Sequence, residues 1–457
     1  DFNSNEFDLI QLSGAWARER HMVRTPLRSG NQLIESRRGA SSHAQNPFIA
    51  LASHDANEEY GDVYGLNLIY SGNFLANVEV DMYNNSRAQI GINPFDFSWL
   101  LEPNEEFQAP EAVLVYSSNG LTGMSHIFHD LYRKRLCRGV YRDKERPILI
   151  NNWEATYFNF NGEKIKSKDA ADLGIELFVL DDGWFGTRDN DDSSLGDWFV
   201  NEEKIQGTLN DLAKDINEMG LKFGLWFEPE MISPKSKLYE EHPDWCIHVP
   251  GRTRNQARKQ LILDLSREEV CDAIIKMLKD VLKSAPISYV KWDMNRNMTE
   301  IGSSNLPRER QKEVAHRYML GLYRIMETIT SEFPEILFES CSGGGGRFDG
   351  GMLYYMPQTW ASDDTDAIER LKIQYGTSLV YPTVTMGSHV SEVPNHQVGR
   401  ITPLSTRAAV AMEGSFGYEL DINKMTSEEK EEVKKQVEFY KEIRQICQFG
   451  DLYRLKN

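Results

Sequence analysis

Short alternating runs of apolar and polar residues characterise the first part of the chain. Three such runs, broken by turn residues, are Val63–Tyr70, Leu75–Val80 and Ala88–Ile92. Alternation with a period of two is typical of strands that bury one face, so these runs predict antiparallel β structure. An amphipathic segment over Met124–Cys137 then predicts a helix, and the charged, proline-ended segment Arg142–Pro147 predicts a connector.

Beyond the connector, apolar segments alternate with helical stretches. Strands joined through helices are parallel, and eight strand–helix units predict a (β/α)8 barrel, an α/β fold. A ninth apolar run, Leu261–Leu265, has no helix before it, so we expect it to lie outside the barrel. The eight predicted barrel strands are Ile148–Trp153, Ile175–Leu180, Lys222–Phe227, Ile287–Asp293, Ile336–Cys341, Gln358–Ser362, Leu379–Met386 and Ala409–Phe416.

This change of pattern divides the chain into three parts. Residues 1–122 are expected to form part of an antiparallel β-sandwich domain, residues 123–145 a helical linker and residues 146–457 the catalytic barrel. A barrel needs roughly 250 residues, so a chain of 457 residues can hold it together with a second domain.

Composition and charge exclude several function classes. Hydrophobic residues make up 40% and charged residues 26%, the balance of a soluble globular protein, and no apolar run approaches the ~20 residues that cross a bilayer. The net charge of −18 repels phosphate backbones, so we expect neither nucleic acid nor a membrane as partner. The segment Asp1–Ile10 lacks the basic and apolar regions of a secretory signal. The scattered cysteines argue against a disulfide framework and a zinc site and favour the cytoplasm; they are Cys137, Cys246, Cys271, Cys341 and Cys447.

Polar residues follow nearly every predicted barrel strand. Barrel enzymes place their chemistry at the carboxyl ends of the strands, where the βα loops converge, so this grouping predicts an active site there. Tryptophans lie at the same ends, and their flat rings suit the apolar face of a sugar, although any of them could simply pack the barrel. The polar segments are Asn152-Trp153, Asp181–Trp184, Trp226 with Glu228, Lys291–Asn295, Glu339–Cys341 and Ser362–Asp364; the tryptophans are Trp153, Trp184, Trp226 and Trp360.

Two carboxylates are expected to carry the chemistry. Alternation along the fourth strand places Lys291, Asp293 and Asn295 on one face, where the lysine charge would keep Asp293 ionised as a nucleophile requires. The alternative is a buried Lys–Asp ion pair that only stabilises the barrel. Glycoside hydrolysis also needs a carboxyl group that is protonated at rest. The residues leave three candidates open for that acid, namely Asp363, Asp364 and Glu228.

A run of four glycines, Gly343–Gly346, has the composition of a phosphate-binding loop but not its sequence pattern. No Gly-Lys-Ser/Thr sequence follows it and no G-x-G-x-x-G spacing fits. Close approach of the backbone to a ligand hydroxyl is the better interpretation.

Seven long motifs are distributed over almost the whole chain. They are Ser36–His43 (SRRGASSH), Gly91–Phe95 (GINPF), Leu180–Gly186 (LDDGWFG), Trp226–Glu230 (WFEPE), Lys291–Asn295 (KWDMN), Cys341–Arg347 (CSGGGGR) and Ser362–Asp366 (SDDTD). In this order, the motifs resemble those of the bacterial α-galactosidases of glycoside hydrolase family 36.

The resemblance implies a role for each site residue. Asp293 is implied to be the nucleophile and Asp363 the acid/base, while Asp181 and Asp182 are implied to bind the 4- and 6-hydroxyls of the sugar. Asp182→Asn is therefore expected to impair catalysis far more than stability. Other substrate-binding residues implied by the resemblance are Trp153, Trp226, Arg258, Lys291, Asn295, Cys341 and Gly343.

The same resemblance implies a reaction and an assembly. The expected activity is hydrolysis of terminal α-galactosides such as melibiose and raffinose, with retention of configuration and without metal or cofactor. Two alternatives stay open: an α-N-acetylgalactosaminidase, and a non-catalytic remnant that binds galactosides. Relatives begin before the equivalent of Asp1 with the first part of a β-supersandwich, continue past the equivalent of Asn457, and form homo-oligomers.

Overall fold

The N-terminal segment forms two antiparallel sheets. The structure, a computed structural model, describes residues 1–166 and 168–455. One sheet has the strand order β2-β1-β4-β5-β8 and the other β3-β6-β7. Along β6, Phe74, Ala76, Val78 and Val80 are buried, as period-two alternation requires. The strands are β1 (Phe7–Ala15), β2 (Arg18–Pro26), β3 (Gly30–Glu35), β4 (Gln45–Ser53), β5 (Val63–Leu68), β6 (Phe74–Val80), β7 (Ser86–Ile92) and β8 (Ala112–Ser117).

Eight parallel strands then close a barrel, which confirms the predicted fold class. Their order is β9-β10-β11-β14-β15-β16-β17-β18, and β18 pairs with β9. The remaining strands β12 and β13 form a separate antiparallel pair, so the run at Leu261 does lie outside the barrel. The strands are β9 (Leu149–Asn151), β10 (Leu177–Leu180), β11 (Lys222–Phe227), β12 (Met231–Ile232), β13 (Leu261–Ile262), β14 (Ile287–Trp292), β15 (Leu337–Ser340), β16 (Gln358–Trp360), β17 (Met386–Ser391) and β18 (Ser415–Glu419).

Helices connect the two domains and cover the barrel. The predicted helix at Met124–Cys137 begins earlier, at Gly120, and continues as a π-helical turn over Tyr132–Leu136. The sequence also predicts a first barrel helix over Gly162–Leu173, and residue 167 within that range lies outside the described residues. The helices are α1 (Gly120–Leu131), α2 (Trp153–Thr156), α3 (Lys168–Asp172), α4 (Glu202–Ile205), α5 (Leu209–Glu218), α6 (Lys237–Glu241), α7 (Glu268–Ser284), α8 (Val314–Glu332), α9 (Gly350–Tyr355), α10 (Ala367–Ser378), α11 (Leu404–Ala411) and α12 (Ser427–Phe449).

The last two barrel strands lie further along the chain than the apolar pattern predicted. The predicted strand Leu379–Met386 is wrong except at Met386, where β17 begins. The apolar residues Leu379, Val380 and Tyr381 pack against the N-terminal domain instead of forming a strand. The predicted strand Ala409–Phe416 overlaps the end of α11. The true seventh strand, β17, is fully buried yet rich in serine and histidine, so hydropathy alone does not reveal it.

The N-terminal domain and the barrel share one apolar cluster. Side chains of β1 and β4 pack in it with side chains of α1 and with barrel residues around α9, α10 and β17. Polar contacts add to this interface, since Ser41 and Ser71 donate hydrogen bonds of 2.6 and 2.7 Å to the buried carboxylate of Asp349. Strand β2 also contacts α10 so closely that a Cβ at Gly376 would lie 1.7 Å from the carbonyl oxygen of Arg20.

Gly376→Ala tests this domain contact. Alanine in a helix is intrinsically favoured over glycine by about 1 kcal/mol, so a net loss of stability can only come from the clash with β2. We expect a loss of about 1–3 kcal/mol, the usual cost of overpacking, measured by urea unfolding. Gly91→Ala is the matched control, because a Cβ there meets no atom of the described residues within 4 Å. Equal stability of the two variants would show that the contact does not matter.

Candidate active site

A cavity of about 640 Å³ opens at the carboxyl ends of the barrel strands. Its size is in the range of small-ligand pockets. Glu228 and Asp364, the other two candidates for the acid, are buried but do not line it. All eleven site residues expected from the sequence do: Trp153, Asp181, Asp182, Trp226, Arg258, Lys291, Asp293, Asn295, Cys341, Gly343 and Asp363.

Asp293 follows the last residue of β14 and is held by four hydrogen-bond donors. One carboxylate oxygen accepts from the backbone N–H groups of Met294 (2.8 Å) and Gly343 (3.2 Å). The other accepts from the Asn295 amide (2.7 Å) and the Trp226 indole (3.2 Å). The donors come from β11, from the residues after β14 and from the loop after β15, so closure of the barrel brings them together.

These contacts determine the protonation state of Asp293. Burial opposes ionisation, but the charge of Lys291 and the hydrogen bond from Asn295 outweigh it, so the pKa of Asp293 lies below its ordinary value. Lys291 acts at a distance, because its ammonium group is bonded to Asp181 and not to Asp293. The alternative of an ion pair between Lys291 and Asp293 is therefore wrong, because the buried ion pair of Lys291 is with Asp181.

Asp363 lies on the same cavity in a different environment. Burial, and next the negative charge of Asp293, raise the pKa of Asp363 to about 6. Among residues 1–166 and 168–455, its carboxylate has one hydrogen-bond donor, the indole of Trp16 at 2.9 Å. Two carboxylates whose pKa values move in opposite directions are the arrangement that separates an ionised nucleophile from a protonated acid.

Two further carboxylates form ion pairs at the cavity wall. Asp181 accepts hydrogen bonds from Lys291 (2.9 Å) and from the Asn151 amide (2.7 Å). Asp182 binds the guanidinium of Arg188 through two nitrogens at 3.0 and 2.9 Å, and both side chains are almost completely buried. Burial raises the pKa of Asp182, although the positive charge of Arg188 opposes the rise.

The tryptophans of the strand ends separate into two groups. Trp153, Trp226 and Trp360 line the cavity, so their rings are available to a ligand. Trp184 does not; it is completely buried, and its indole donates to the carbonyl of Trp226 at 2.9 Å. Trp184 is therefore a packing residue, and its suggested sugar contact is wrong.

Three glycines of the run, Gly344–Gly346, lie against protein backbone, which corrects their interpretation as a surface for a ligand hydroxyl. A Cβ at Gly344 would lie 2.5 Å from the backbone nitrogen of Asp363, and one at Gly345 would lie 2.3 Å from the carbonyl oxygen of Ala361. Only Gly343 lines the cavity, and its N–H donates to Asp293. The run lets the loop after β15 approach the end of β16, where the acid/base candidate lies.

Several cavity residues were not assigned to the site from the sequence. Arg38 and His43 lie in the Ser36–His43 motif, but nothing in the motif relates them to barrel strands far along the chain, and Trp16 lies in no motif. Among the barrel residues that line the cavity, the pKa of Glu154 is raised to about 7 by burial, and His396 lies 3.3 Å from its carboxylate. Glu419, at the end of β18, also lines the cavity and pairs with His389 at 3.0 Å.

Neither a metal cluster nor a membrane span is found in the part of the chain that the structure describes. Within it, no group of three or more His, Cys, Asp or Glu side chains is arranged to hold a metal ion. None of the described helices is sufficiently long and apolar to pass through a membrane. The absence of metal and cofactor from the reaction stays a prediction.

Comparison with known proteins identifies relatives over the whole chain. The family model described as Melibiase matches residues 106–450, and the Glycosyl hydrolase family 36 N-terminal domain model matches residues 1–102. The α-galactosidases AgaA of Geobacillus stearothermophilus and Mel36A of Lactobacillus acidophilus are 66% and 54% identical over 100% of the chain. The chain spans 63% of the length of each. An AgaA variant solved in complex with raffinose is 65% identical, with a TM-score of 0.99 over 100% of this chain and 64% of that one.

The closed parallel barrel and the cavity at its strand ends define the chain as a (β/α)8-barrel protein with a carboxylate-lined pocket. The family matches make the assignment specific. This chain belongs to glycoside hydrolase family 36.

Asp182→Asn tests the ion pair with Arg188. The substitution leaves the buried guanidinium with only the half-exposed carboxylate of Asp191, 3.7 Å away. We therefore expect the free energy of unfolding to fall by up to about 3–5 kcal/mol, in contrast to the expectation from sequence that stability is little affected. Urea unfolding measures the loss. Asp189→Asn, which removes an exposed partner of Lys204, is the control and should cost less than about 1 kcal/mol. Equal stability of the two variants would contradict the structural role of Asp182.

Proposed function

We propose that the protein is a retaining α-galactosidase that uses Asp293 as nucleophile and Asp363 as acid/base. The observation that carries the proposal is the pair of opposite pKa shifts in one cavity, with Asp293 lowered and Asp363 raised to about 6. A retaining glycosidase needs one carboxylate ionised and one carboxyl protonated before the substrate binds. The family membership of the chain and the activity named for its relatives support the proposal.

The reaction follows from these two groups. Asp363 gives its proton to the glycosidic oxygen while the carboxylate of Asp293 attacks the anomeric carbon from the opposite face, which breaks the C–O bond and forms a β-linked galactosyl ester. Asp363, now ionised, takes a proton from a water molecule that attacks the anomeric carbon and displaces the Asp293 carboxylate from it. The ester breaks, Asp293 regains its negative charge, and the released galactose has the α configuration again.

Substrate recognition is proposed to rest on the ion-paired carboxylates. Asp181 and Asp182 are held rigidly by Lys291 and Arg188, which leaves lone pairs on their oxygens for the 4- and 6-hydroxyls of galactose. We assign Trp153, Trp226, Arg258, Asn295, Cys341 and Gly343 to the same pocket because they line the cavity. Melibiose and raffinose are the proposed substrates, which agrees with the raffinose bound to the relative.

Three further assignments belong to this proposal. All five cysteines are free, which supports a reducing cytoplasmic location. Assembly into a homo-oligomer stays a prediction. So does the division into a C-terminal part of a β-supersandwich domain at 1–122, a helical linker at 123–145 and a catalytic barrel at 146–457.

Release of nitrophenol from two aryl glycosides tests the proposal against its alternatives. An α-galactosidase cleaves the aryl α-galactoside and discriminates against the aryl α-N-acetylgalactosaminide, which needs extra space beside the 2-position near Cys341 and Gly343. Preference for the second substrate would instead identify an α-N-acetylgalactosaminidase. Binding of galactose without turnover of either substrate would favour a non-catalytic remnant.

Chemical rescue assigns the two carboxylates. Asp293→Gly should abolish hydrolysis, and azide entering the vacated space should attack an activated α-galactoside directly and give β-galactosyl azide. With Asp363→Gly, azide should intercept the galactosyl ester from the other face and give α-galactosyl azide. Proton NMR of the products distinguishes the anomers. An α product from the Asp293 variant would show that the nucleophile is misassigned.

A further inference from the structure

The N-terminal domain reaches the active site through the hairpin that joins β1 to β2. Ala15 pairs with Arg18, so the turn consists of Trp16 and Ala17 alone. The Trp16 indole N–H donates a 2.9 Å hydrogen bond to Oδ2 of Asp363, across 347 positions of sequence. Trp16 as a whole is 54% exposed, and it lines the cavity. Trp16 is therefore held by its contact with the acid/base and not by burial in a core.

The residues after the turn bind the two loops on either side of Asp363. The carboxylate of Glu19 accepts hydrogen bonds from the Ser362 hydroxyl (2.5 Å) and from the backbone N–H of Gly345 (3.4 Å). The Arg20 guanidinium donates to the carbonyl oxygens of Gly345 and Ala361. Glu19 and Arg20 are almost completely buried, so these bonds fix the hairpin on the end of β16.

The backbone of the hairpin is strained where it turns toward the barrel. Ala17 has a φ of 63° and Arg20 a φ of 53°, in the left-handed region that side-chain-bearing residues rarely adopt. Such conformations persist only where surrounding contacts enforce them, and they concentrate at functional sites. Here the enforcing contacts are the bonds of Glu19 and Arg20 to the barrel, and their result is the placement of the Trp16 indole at Asp363.

We propose that Trp16 is a positioning residue for the acid/base, which fixes the carboxyl group of Asp363 and selects the oxygen that carries its proton. The inference rests on the proposed function. An oxygen that accepts the indole N–H is occupied, so the proton of the neutral carboxyl group belongs on Oδ1. Oδ1 then gives that proton to the leaving oxygen and later takes one from water, while the indole bond to Oδ2 persists through both steps.

The bond also affects the pH at which Asp363 releases its proton. An N–H donor stabilises the ionised carboxylate, so the contact with Trp16 lowers the pKa of Asp363 against the rise caused by burial and by Asp293. Loss of the donor should therefore raise the pKa. The other charged or titratable groups that act on Asp363 stay unchanged when Trp16 is replaced; they are Glu19, Arg258, Lys291, Asp293, Cys341, Arg370 and His396.

Trp16→Phe removes the indole donor and keeps an aromatic ring. The pH profile of kcat/KM reports the pKa values of the free enzyme. Its alkaline limb should shift to higher pH by about one unit, because loss of a hydrogen bond to the ionised carboxylate raises the pKa of Asp363. The plateau value for raffinose should fall about tenfold, because the sugar leaving group needs a well-placed proton. An aryl galactoside with a good leaving group needs little protonation, so its plateau value should change much less.

Two further variants complete the test. Trp99→Phe, in a tryptophan packed on His316 away from the cavity, should leave both the limb and the plateau unchanged. Trp16→Ala should move the limb as far as Trp16→Phe does, because both lack the donor. The inference would be overturned if the alkaline limb of the kcat/KM profile stayed in place in Trp16→Phe. It would also be overturned if that limb shifted in Trp16→Ala alone. A wild-type protein that cleaves none of the substrates would overturn the proposed function instead.

Discussion

The proposed catalytic carboxylates, Asp293 and Asp363, line the same cavity, and the rest of the site depends on their mutual repulsion. Both cannot be ionised cheaply, because burial and a nearby like charge each penalise the second negative charge. The surroundings decide which group keeps its proton. Asp293 has four hydrogen-bond donors and the nearby charge of Lys291, whereas Asp363 has one donor among the described residues. This unequal supply of donors separates the roles of two chemically identical side chains.

The barrel supplies the four hydrogen-bond donors of Asp293, whereas the N-terminal domain supplies the donor of Asp363. Closed parallel strands place successive strand ends about 4.8 Å apart, so Trp226, Asn295 and Gly343 reach Asp293 from neighbouring parts of the rim. Asp363 lies after the short strand β16, and among the described residues the barrel supplies no hydrogen-bond donor to its carboxylate. The single donor must therefore come from outside the barrel, and the strained hairpin at Trp16 provides it.

The barrel and its carboxylates were predictable from the sequence because their signals are local. A carboxylate that follows an apolar strand, such as Asp293, can be recognised within a few residues, and parallel closure then brings the strand ends together. The contribution of Trp16 could not be found in this way, since nothing near it indicates a partner 347 positions away. The apolar pattern did not predict strand β17, because a buried strand can hold serine and histidine side chains through hydrogen bonds instead of apolar contacts. The choice among Asp363, Asp364 and Glu228 likewise depends on which side chain lines the cavity, a tertiary property.

The position of Lys291 shows why the support of Asp293 is divided between charge and neutral donors. Breaking a buried ion pair costs about 3–5 kcal/mol, whereas a neutral hydrogen bond contributes only about 1 kcal/mol. If Lys291 were bonded to Asp293, the nucleophile would have to separate from its counter-charge as its negative charge passes into the ester. Because Lys291 is bonded to Asp181 instead, its field lowers the pKa of Asp293 while four weaker bonds hold the carboxylate in place. The proposed nucleophile is thus kept ionised by a charge that it does not have to leave.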